Sequence, residues 1–243
     1  MGLLYANSYR ISDDISVCIP LLGEILDLQD DYNRVLTAFV STPYELMVQL
    51  DDLGIDFMSI TKYQLFFMLF RNILEEYRNG QMKALDLVLT GCDFNNIQPA
   101  VNCDTEELVF VDTNGHAVIN ERIYQMVRAT LCFIHDIDGT EKHLFNAGDK
   151  DFFLERMRAK QRRLKRKANQ SSELEDLIIA LVNTQEFKYD FDSVRSLTLY
   201  QFYRSLKQIL KRINYDQIMQ GYYTGNLDIK KVSQDTLNWL SSK

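Results

Sequence analysis

Two segments of the sequence, 137 positions apart, begin a helix with almost the same residues. Residues 59–66 and 196–203 share Ser, Thr, Tyr and Gln at matching positions. In each, a Thr is followed three residues later by a Gln, so that each side chain accepts a hydrogen bond from the other residue's backbone N–H. With only three prolines and ten glycines in 243 residues, these two helix starts predict a chain built mainly from helices.

The spacing of apolar residues predicts helices in both halves of the chain. They are 15–28, 32–40, 42–54, 61–79, 120–134, 151–168, 172–182 and 198–221. The signal for strands is weaker. Residues 85–89 fit a short strand, and Asn114-Gly115 lies between two β-forming segments, which is typical of a hairpin turn.

We therefore predict a mainly α (α+β) fold, a helical protein with one small β-hairpin element in the middle. The predicted regions follow the same pattern along the chain. They are a helical N-terminal region at 1–105, the hairpin plus a helix at 106–135, a linker at 136–150, and a helical C-terminal region at 151–243 that contains a basic helix.

The net charge of −7 conceals an asymmetry between the two halves. Residues 1–120 carry 18 acidic and 6 basic side chains, a balance of −12. Residues 121–243 carry 16 acidic and 21 basic side chains, a balance of +5. Halves of opposite charge predict docking onto other proteins, or onto copies of the same chain, through complementary electrostatic fields.

The basic helix concentrates eight cationic side chains in twelve residues. These candidate contacts for a protein partner or a nucleic acid are Arg156, Arg158, Lys160, Arg162, Arg163, Lys165, Arg166 and Lys167. Binding of a nucleic acid needs such a cationic footprint, but the run lacks interleaved aromatic residues on which bases could stack. The pattern favours a solvated helix that faces an acidic partner, either this chain's own N-terminal half or another subunit.

Residues 136–140 read Asp-Ile-Asp-Gly-Thr, which resembles the first motif of haloacid-dehalogenase-type phosphatases. There the first Asp attacks phosphorus and Mg²⁺ neutralises charge. That motif must end a central parallel strand, whereas residues 120–134 have helical periodicity, so we expect a polar boundary between helix and linker. His116, His135 and His143 show no metal-ligand spacing. We predict no metal, no cofactor and no catalytic residues, and hence a protein that is not an enzyme.

The cysteines, the apolar runs and the N-terminal residues indicate the cellular compartment. Cys18, Cys92, Cys103 and Cys132 form no CxxC pair, so we predict reduced and mostly buried thiols. No apolar run approaches the ~18 residues of a membrane span, and the N-terminus lacks the basic flank and cleavage site of a signal peptide. We expect a soluble intracellular protein with no membrane partner.

In the C-terminal half, the basic helix is followed by the motifs at 174–178, 196–203, 214–216 and 228–232. This order resembles small proteins encoded in the tail-morphogenesis regions of phages and prophages of Gram-positive bacteria. The resemblance implies a non-enzymatic tail assembly chaperone or minor virion component, in the host cytoplasm or the virion. A chaperone of that kind coats the tape-measure chain and recruits tube subunits.

The resemblance carries no site motif, so it transfers no binding residues to this chain. Its implied partners are phage tail proteins, the tape measure or tube subunits, or copies of the chain itself. The residues themselves suggest two alternative functions. One is a nucleic-acid-binding accessory protein that uses the basic helix at 156–167, and the other is a Mg²⁺-dependent phosphatase at Asp136 and Asp138.

Overall fold

The computed structural model describes residues 2–103, 105–138, 150–167 and 173–240, without the side chains of 164–167 and 235. In this part of the chain the fold is mainly α with two small three-stranded sheets, so the predicted fold class is confirmed. The chain divides into two compact units. The first is Met1–Pro20 with Glu24–Ser171, and the second is Leu21–Gly23 with Ser172–Lys243.

Most of the elements lie before residue 168. In chain order they are β1 (Ser8–Arg10), β2 (Ser16–Cys18), α1 (Leu22–Asp27), α2 (Gln29–Val40), α3 (Met47–Asp52), α4 (Lys62–Arg78), α5 (Leu85–Val88), β3 (Leu89–Thr90), β4 (Gln98–Val101), β5 (Leu108–Val111), β6 (Ala117–Ile119), α6 (Glu121–Ile134) and α7 (Lys150–Lys167). The later elements are α8 (Glu173–Val182), α9 (Leu199–Tyr223) and α10 (Gln234–Leu237).

Both sheets are antiparallel and belong to the first unit. The order of the first is β1-β2-β3, and that of the second is β4-β5-β6. The predicted hairpin is the β5–β6 pair, and Gly115 in its turn has φ +79°, a value that favours glycine. The hairpin is confirmed, but β4 adds a third strand to it. The predicted strand at 85–89 is wrong over Leu85–Val88, which form α5, and only Leu89 belongs to a strand, β3. β1 and β2 have no counterpart among the predicted strands.

The predicted helix at 15–28 is wrong in its first part, where β2 forms and α1 begins only at Leu22. Ile15, Val17 and Ile19 are all buried. Alternate residues therefore face the core, which is the period of a strand and not of a helix. The apolar residues of this segment fit both an alternating and a helical spacing, and in the folded chain they pack with the alternation of a strand.

Aromatic rings form the core of the first unit. The Phe66 ring centroid lies 4.7 Å from that of Phe39, 5.1 Å from that of Phe70 and 4.6 Å from that of Tyr124. Phe110 of β5 meets the Phe70 ring edge-on at 5.2 Å. All five side chains are buried. Rings of this size supply large apolar areas, so this cluster joins α2, α4, α6 and the second sheet into one core.

Both predicted capping boxes form. Thr61 Oγ1 accepts from the Gln64 N–H at 3.1 Å, and Gln64 Oε1 accepts from the Thr61 N–H at 2.8 Å. The corresponding distances for Thr198 and Gln201 are 3.2 and 3.0 Å. The helices that follow differ in burial. α4 buries six side chains, whereas α9, with 25 residues, buries only two, both in its first turn.

The second unit includes the short segment Leu21–Gly23. The Leu22 N–H donates to the Leu197 carbonyl oxygen at 2.9 Å, just ahead of α9. Towards the other end of α9, the Arg212 guanidinium lies 4.8 Å above the centre of the Trp239 ring. These contacts attach an N-terminal segment and the C-terminal residues to the same long helix.

The structure divides the chain differently from the predicted regions at the basic helix. α7 contacts α3 and belongs to the first unit, whereas the sequence grouped it with the C-terminal region at 151–243. The reason is the apolar side of α7, where Leu154 is buried against residues of the N-terminal half. Residues 139–149, most of the predicted linker, lie outside the described residues.

His135, directly after α6, is buried in the first unit. Its Nδ1 lies 2.8 Å from the Leu131 carbonyl oxygen and its Nε2 lies 2.8 Å from the Tyr32 hydroxyl. Because a carbonyl oxygen only accepts, Nδ1 carries the proton and Nε2 accepts from Tyr32. Burial lowers the pKa of His135 to about 4, so the ring is neutral at pH 7.

We expect the first unit to lose stability as the pH falls from about 6.5 to about 4. In this window the unfolded chain binds a proton at His135 that the folded chain does not, because the folded pKa is the lower one. The stabilisation is complete above about pH 6.5, and its loss approaches about 3 kcal/mol. Urea unfolding at pH 7.5 and pH 4.5 measures it.

The control for this prediction is a second histidine. His135→Gln removes this part of the pH dependence, whereas His116→Gln, at a side chain that is 65% exposed, leaves it in place. The same change in unfolding free energy between the two pH values in the wild type and in His135→Gln would contradict the assignment.

Candidate protein-binding surface

α7 is held on the first unit by an apolar cluster. Leu154 is buried there with Met47 and Leu50 of α3 and with Leu65 of α4, and Met157 packs half-buried against the group. These residues recur at helical spacing on one side of α7, so the cationic residues occupy the rest of the helix surface. The cluster fixes which cations face the protein and which face solvent.

Cations of α7 pair with carboxylates at α3 and just beyond it. Arg158 Nη2 lies 2.8 Å from Asp51 Oδ2 and 2.7 Å from Asp52 Oδ1. Lys150 Nζ lies 2.9 Å from Asp56 Oδ1, and this hydrogen bond lowers the pKa of Asp56. The hydrogen bond from Arg158 to Asp52 raises the pKa of Arg158. Arg158 therefore faces acidic residues of the chain's own N-terminal half.

Arg156, Lys160 and Arg163 form a second set, which we call the cationic edge. Their spacing of four and three residues places them on one face of α7. All three are exposed, and in the described part of the chain no carboxylate lies within salt-bridge distance of them. Arg162 is also exposed, and its Nε lies 3.4 Å from the Arg158 carbonyl oxygen. Among the described side chains, Arg158 is thus paired with carboxylates of the chain, whereas Arg156, Lys160 and Arg163 are not.

An open groove of 810 Å³ lies beside the cationic edge. Its apolar lining comes from Met47, Phe153, Met157 and Ala159, and the three cations of the edge complete it. We call this feature the α7 groove. An apolar floor with charges of one sign along it is the arrangement that receives an amphipathic helix carrying the opposite charge.

The side chains of three predicted contact residues lie outside the described part of the structure. Lys165, Arg166 and Lys167 end α7, and only their backbone lies in the described part of the structure. Met47, Asp51 and Asp52, by contrast, take part in this surface without having been singled out from the sequence. The one signal for them was the acidic excess of the N-terminal half, which does not identify individual carboxylates.

The phosphatase motif begins two residues after the end of a helix. Asp136 follows α6 with φ +53°, and Asp138 lies two residues further on. The predicted helix at 120–134 is α6, so the motif does not follow the strand that such phosphatases require. Residues 139–149, which include the rest of the motif and His143, lie outside the described residues. No cluster of three or more His, Cys, Asp or Glu suited to a metal ion occurs in the described residues.

The cysteines are more exposed than predicted. Cys132 is buried, Cys18 and Cys92 are half-buried, and Cys103 is exposed. Burial raises the pKa of Cys18 to about 11 and that of Cys92 to about 12. These two thiols are neutral at pH 7 and therefore weak nucleophiles.

A known protein family matches part of the chain. Residues 165–242 match the family model described as the YomV second domain. The match covers less than half of the chain and includes α8, α9 and α10. It indicates a phage-associated protein. This agrees with the broader part of the resemblance found in the sequence, which is the association with phages. No curated protein and no solved structure matches the chain. Over the described residues, no helix combines the length and apolarity that crossing a membrane requires.

We expect Arg158→Gln to loosen α7 from α3, because the substitution removes the hydrogen bonds to Asp51 and Asp52. Hydrogen exchange of the α7 backbone amides measures this, and exchange should become faster than in the wild type. Arg163→Gln is the matched control, since it removes an exposed arginine that pairs with no carboxylate of the described residues. Equal exchange rates in the two variants would show that the apolar cluster alone holds the helix.

Proposed function

We propose that the protein acts without catalysis in phage tail morphogenesis, as a tail assembly chaperone or a minor virion component, by binding a tail protein in the α7 groove. The observation that carries this proposal is the cationic edge, three exposed cations beside an apolar floor. The phage-associated match of the C-terminal part supports the biological setting. The tail role and the non-enzymatic character come from the resemblance in the sequence.

The proposed occupant is an amphipathic helix with acidic side chains beside its apolar face. The cationic edge spans eight residues of α7, and the seven steps between Arg156 and Arg163 correspond to about 10 Å along a helix axis. Carboxylates on successive turns of a helix lying along the groove would meet these cations. Opposite charges select and orient such a partner, while burial of the apolar floor supplies affinity.

Arg158 supports this choice of partner chemistry. It shows that an arginine of α7 forms hydrogen bonds to carboxylates of protein side chains when they are presented at the right distance. Arg156, Lys160 and Arg163 have no such partner in the described residues, so their pairing capacity is open to another chain. We propose the tape-measure chain as that partner, in the host cytoplasm during assembly or in the virion.

We expect the triple charge reversal Arg156→Glu, Lys160→Glu and Arg163→Glu to abolish the complex with the tape-measure protein of the same phage. Acidic side chains on the edge would repel the acidic partner and leave its apolar face uncovered. Co-expression of both proteins followed by size-exclusion chromatography with light scattering measures the complex. Binding should also weaken as salt is raised from 50 to 300 mM, because salt screens the exposed charges.

The matched control is the triple reversal Arg71→Glu, Lys83→Glu and Arg122→Glu, which changes three exposed cations elsewhere in the first unit by the same total charge. This variant should keep the complex. Three outcomes would contradict the proposal. They are equal loss in both variants, self-association through the groove with no tail protein bound, and tight binding of a 20-nucleotide oligomer in place of a tail protein.

A further inference from the structure

The C-terminal residues fold back along α9. We call residues 227–240 the clasp. Its first residue, Leu227, lies beside Gly221 near the end of the helix, and Trp239 lies beside Gln208, more than three turns further back. α10, which belongs to the clasp, also contacts α9. The clasp therefore runs antiparallel to α9, and both belong to the second unit.

Trp239 fastens the far end of the clasp to α9. The Arg212 guanidinium lies 4.8 Å from the centre of the Trp239 ring, and Arg212 Nε donates to Asp216 Oδ2 at 3.2 Å, which orients the guanidinium. Gln208, one turn earlier, donates from Nε2 to the Trp239 carbonyl oxygen at 2.8 Å. An indole ring attracts a cation more strongly than the other aromatic rings. The site on α9 thus binds both the ring of Trp239 and the main chain that carries it.

A short turn at residues 224–226 joins the clasp to α9. The N–H groups of Asn226 and Leu227 both donate to the Gly221 carbonyl oxygen, at 2.9 and 3.0 Å. Gly225 has φ +74°, a conformation that glycine adopts at little cost. A Cβ at Gly221 would lie only 3.3 Å from Leu227 Cβ, so glycine lets the clasp leave the turn close to the helix. Residues 224–226 are therefore the hinge of the clasp.

The clasp is held with little burial. Trp239 is half-buried, and the Arg212 side chain beneath it is 50% exposed. Leu240, the next residue after Trp239, is 73% exposed. Among the described side chains of the clasp, none is fully buried. Contacts between exposed groups contribute little free energy, so the clasp can open at the hinge as a local event while the rest of the fold stays intact.

The clasp is also long enough to reach another molecule. The 15 residues from Tyr223 back to Gln208 correspond to about 22 Å along the helix axis. The 16 residues from Tyr223 on to Trp239 can span about 50 Å when extended. An opened clasp can therefore bring Trp239 to α9 of a neighbouring copy, which carries the same site.

We propose that the clasp is exchanged between copies of the chain, so that Trp239 of one copy occupies the Gln208 and Arg212 site of a second copy. The same contacts form in both arrangements, so the hinge and the protein concentration decide between them. Within one chain the clasp has an effective concentration in the millimolar range. The monomer is therefore favoured in dilute solution, and exchange is favoured where copies are concentrated. This surface is separate from the α7 groove and does not rest on the proposed tail function.

The first test removes the hinge. Without residues 224–226 the clasp cannot turn back onto its own helix, so this variant should be a dimer at micromolar concentration where the wild type is a monomer. Size-exclusion chromatography with light scattering measures the mass. Trp239 is the only tryptophan of the chain, so its emission maximum should stay at the wild-type value in the dimer. A monomeric variant whose emission moves to that of a solvent-exposed tryptophan overturns the proposal.

The second test leaves the hinge intact and supplies the clasp as a separate molecule. A fluorescein-labelled peptide of residues 226–243 is titrated with the full chain, and anisotropy measures binding. The peptide should bind the Trp239→Ala chain about 10-fold more tightly than the wild type, because the attached clasp of the wild type competes for the site. Adding Gln208→Ala and Arg212→Ala to the Trp239→Ala chain should lower the affinity about 10-fold, because the hydrogen bond and the cation–π contact are lost.

The matched control adds Gln217→Ala and Lys188→Ala to the Trp239→Ala chain, which removes one exposed glutamine of α9 and one exposed cation of the second unit. This variant should keep the affinity of the Trp239→Ala chain for the peptide. Equal affinity of the peptide for the wild type and for the Trp239→Ala chain overturns the proposal, and so does equal loss in both sets of substitutions. These results are independent of charge reversal at the cationic edge, so failure here is distinguishable from failure of the proposed function.

Discussion

Phe66 makes the ring contacts on which the first unit depends. Its neighbours come from α2, α4 and α6, so the packing of three helices is set around one side chain. The residues beside it on α4 extend this constraint in two directions. Leu65 joins the apolar cluster that holds α7, and the Tyr63 hydroxyl donates to the Leu108 carbonyl oxygen of β5. The α7 groove therefore has a rigid support and does not rely on a loop alone for its geometry.

The cations of α7 fall into two groups with different consequences. Arg158, which is bound to Asp51 and Asp52, orients the helix on the protein. The cationic edge points away from these carboxylates and gives the surface its positive character. Exposed ion pairs add little to the global stability of a protein, so the paired group matters chiefly for how closely α7 is held on α3 and for the direction in which the helix faces. A single run of like charges in the sequence thus serves two purposes once it is wound into a helix.

Local signals predicted much of the fold. The boxes at Thr61 and Thr198, the hairpin at Asn114-Gly115 and the helices α6 and α7 all depend on residues close together in the chain. The β1-β2-β3 sheet and the α7 groove depend on distant ones, since Val17 pairs with Leu89 and Met47 meets Met157. In strands of two or three residues the alternation is too short to be distinguished from helical spacing in the sequence.

The two capped helices lead to different modes of unfolding. α4 is anchored along its length by buried side chains, so it can open only when the core of the first unit opens. α9 is anchored in its first turn, and its later turns have little buried apolar surface to lose. Its far end can therefore melt on its own, as a local event with a small free energy. One unfolding free energy for the whole chain would then describe the aromatic core and leave most of the longest helix out of account.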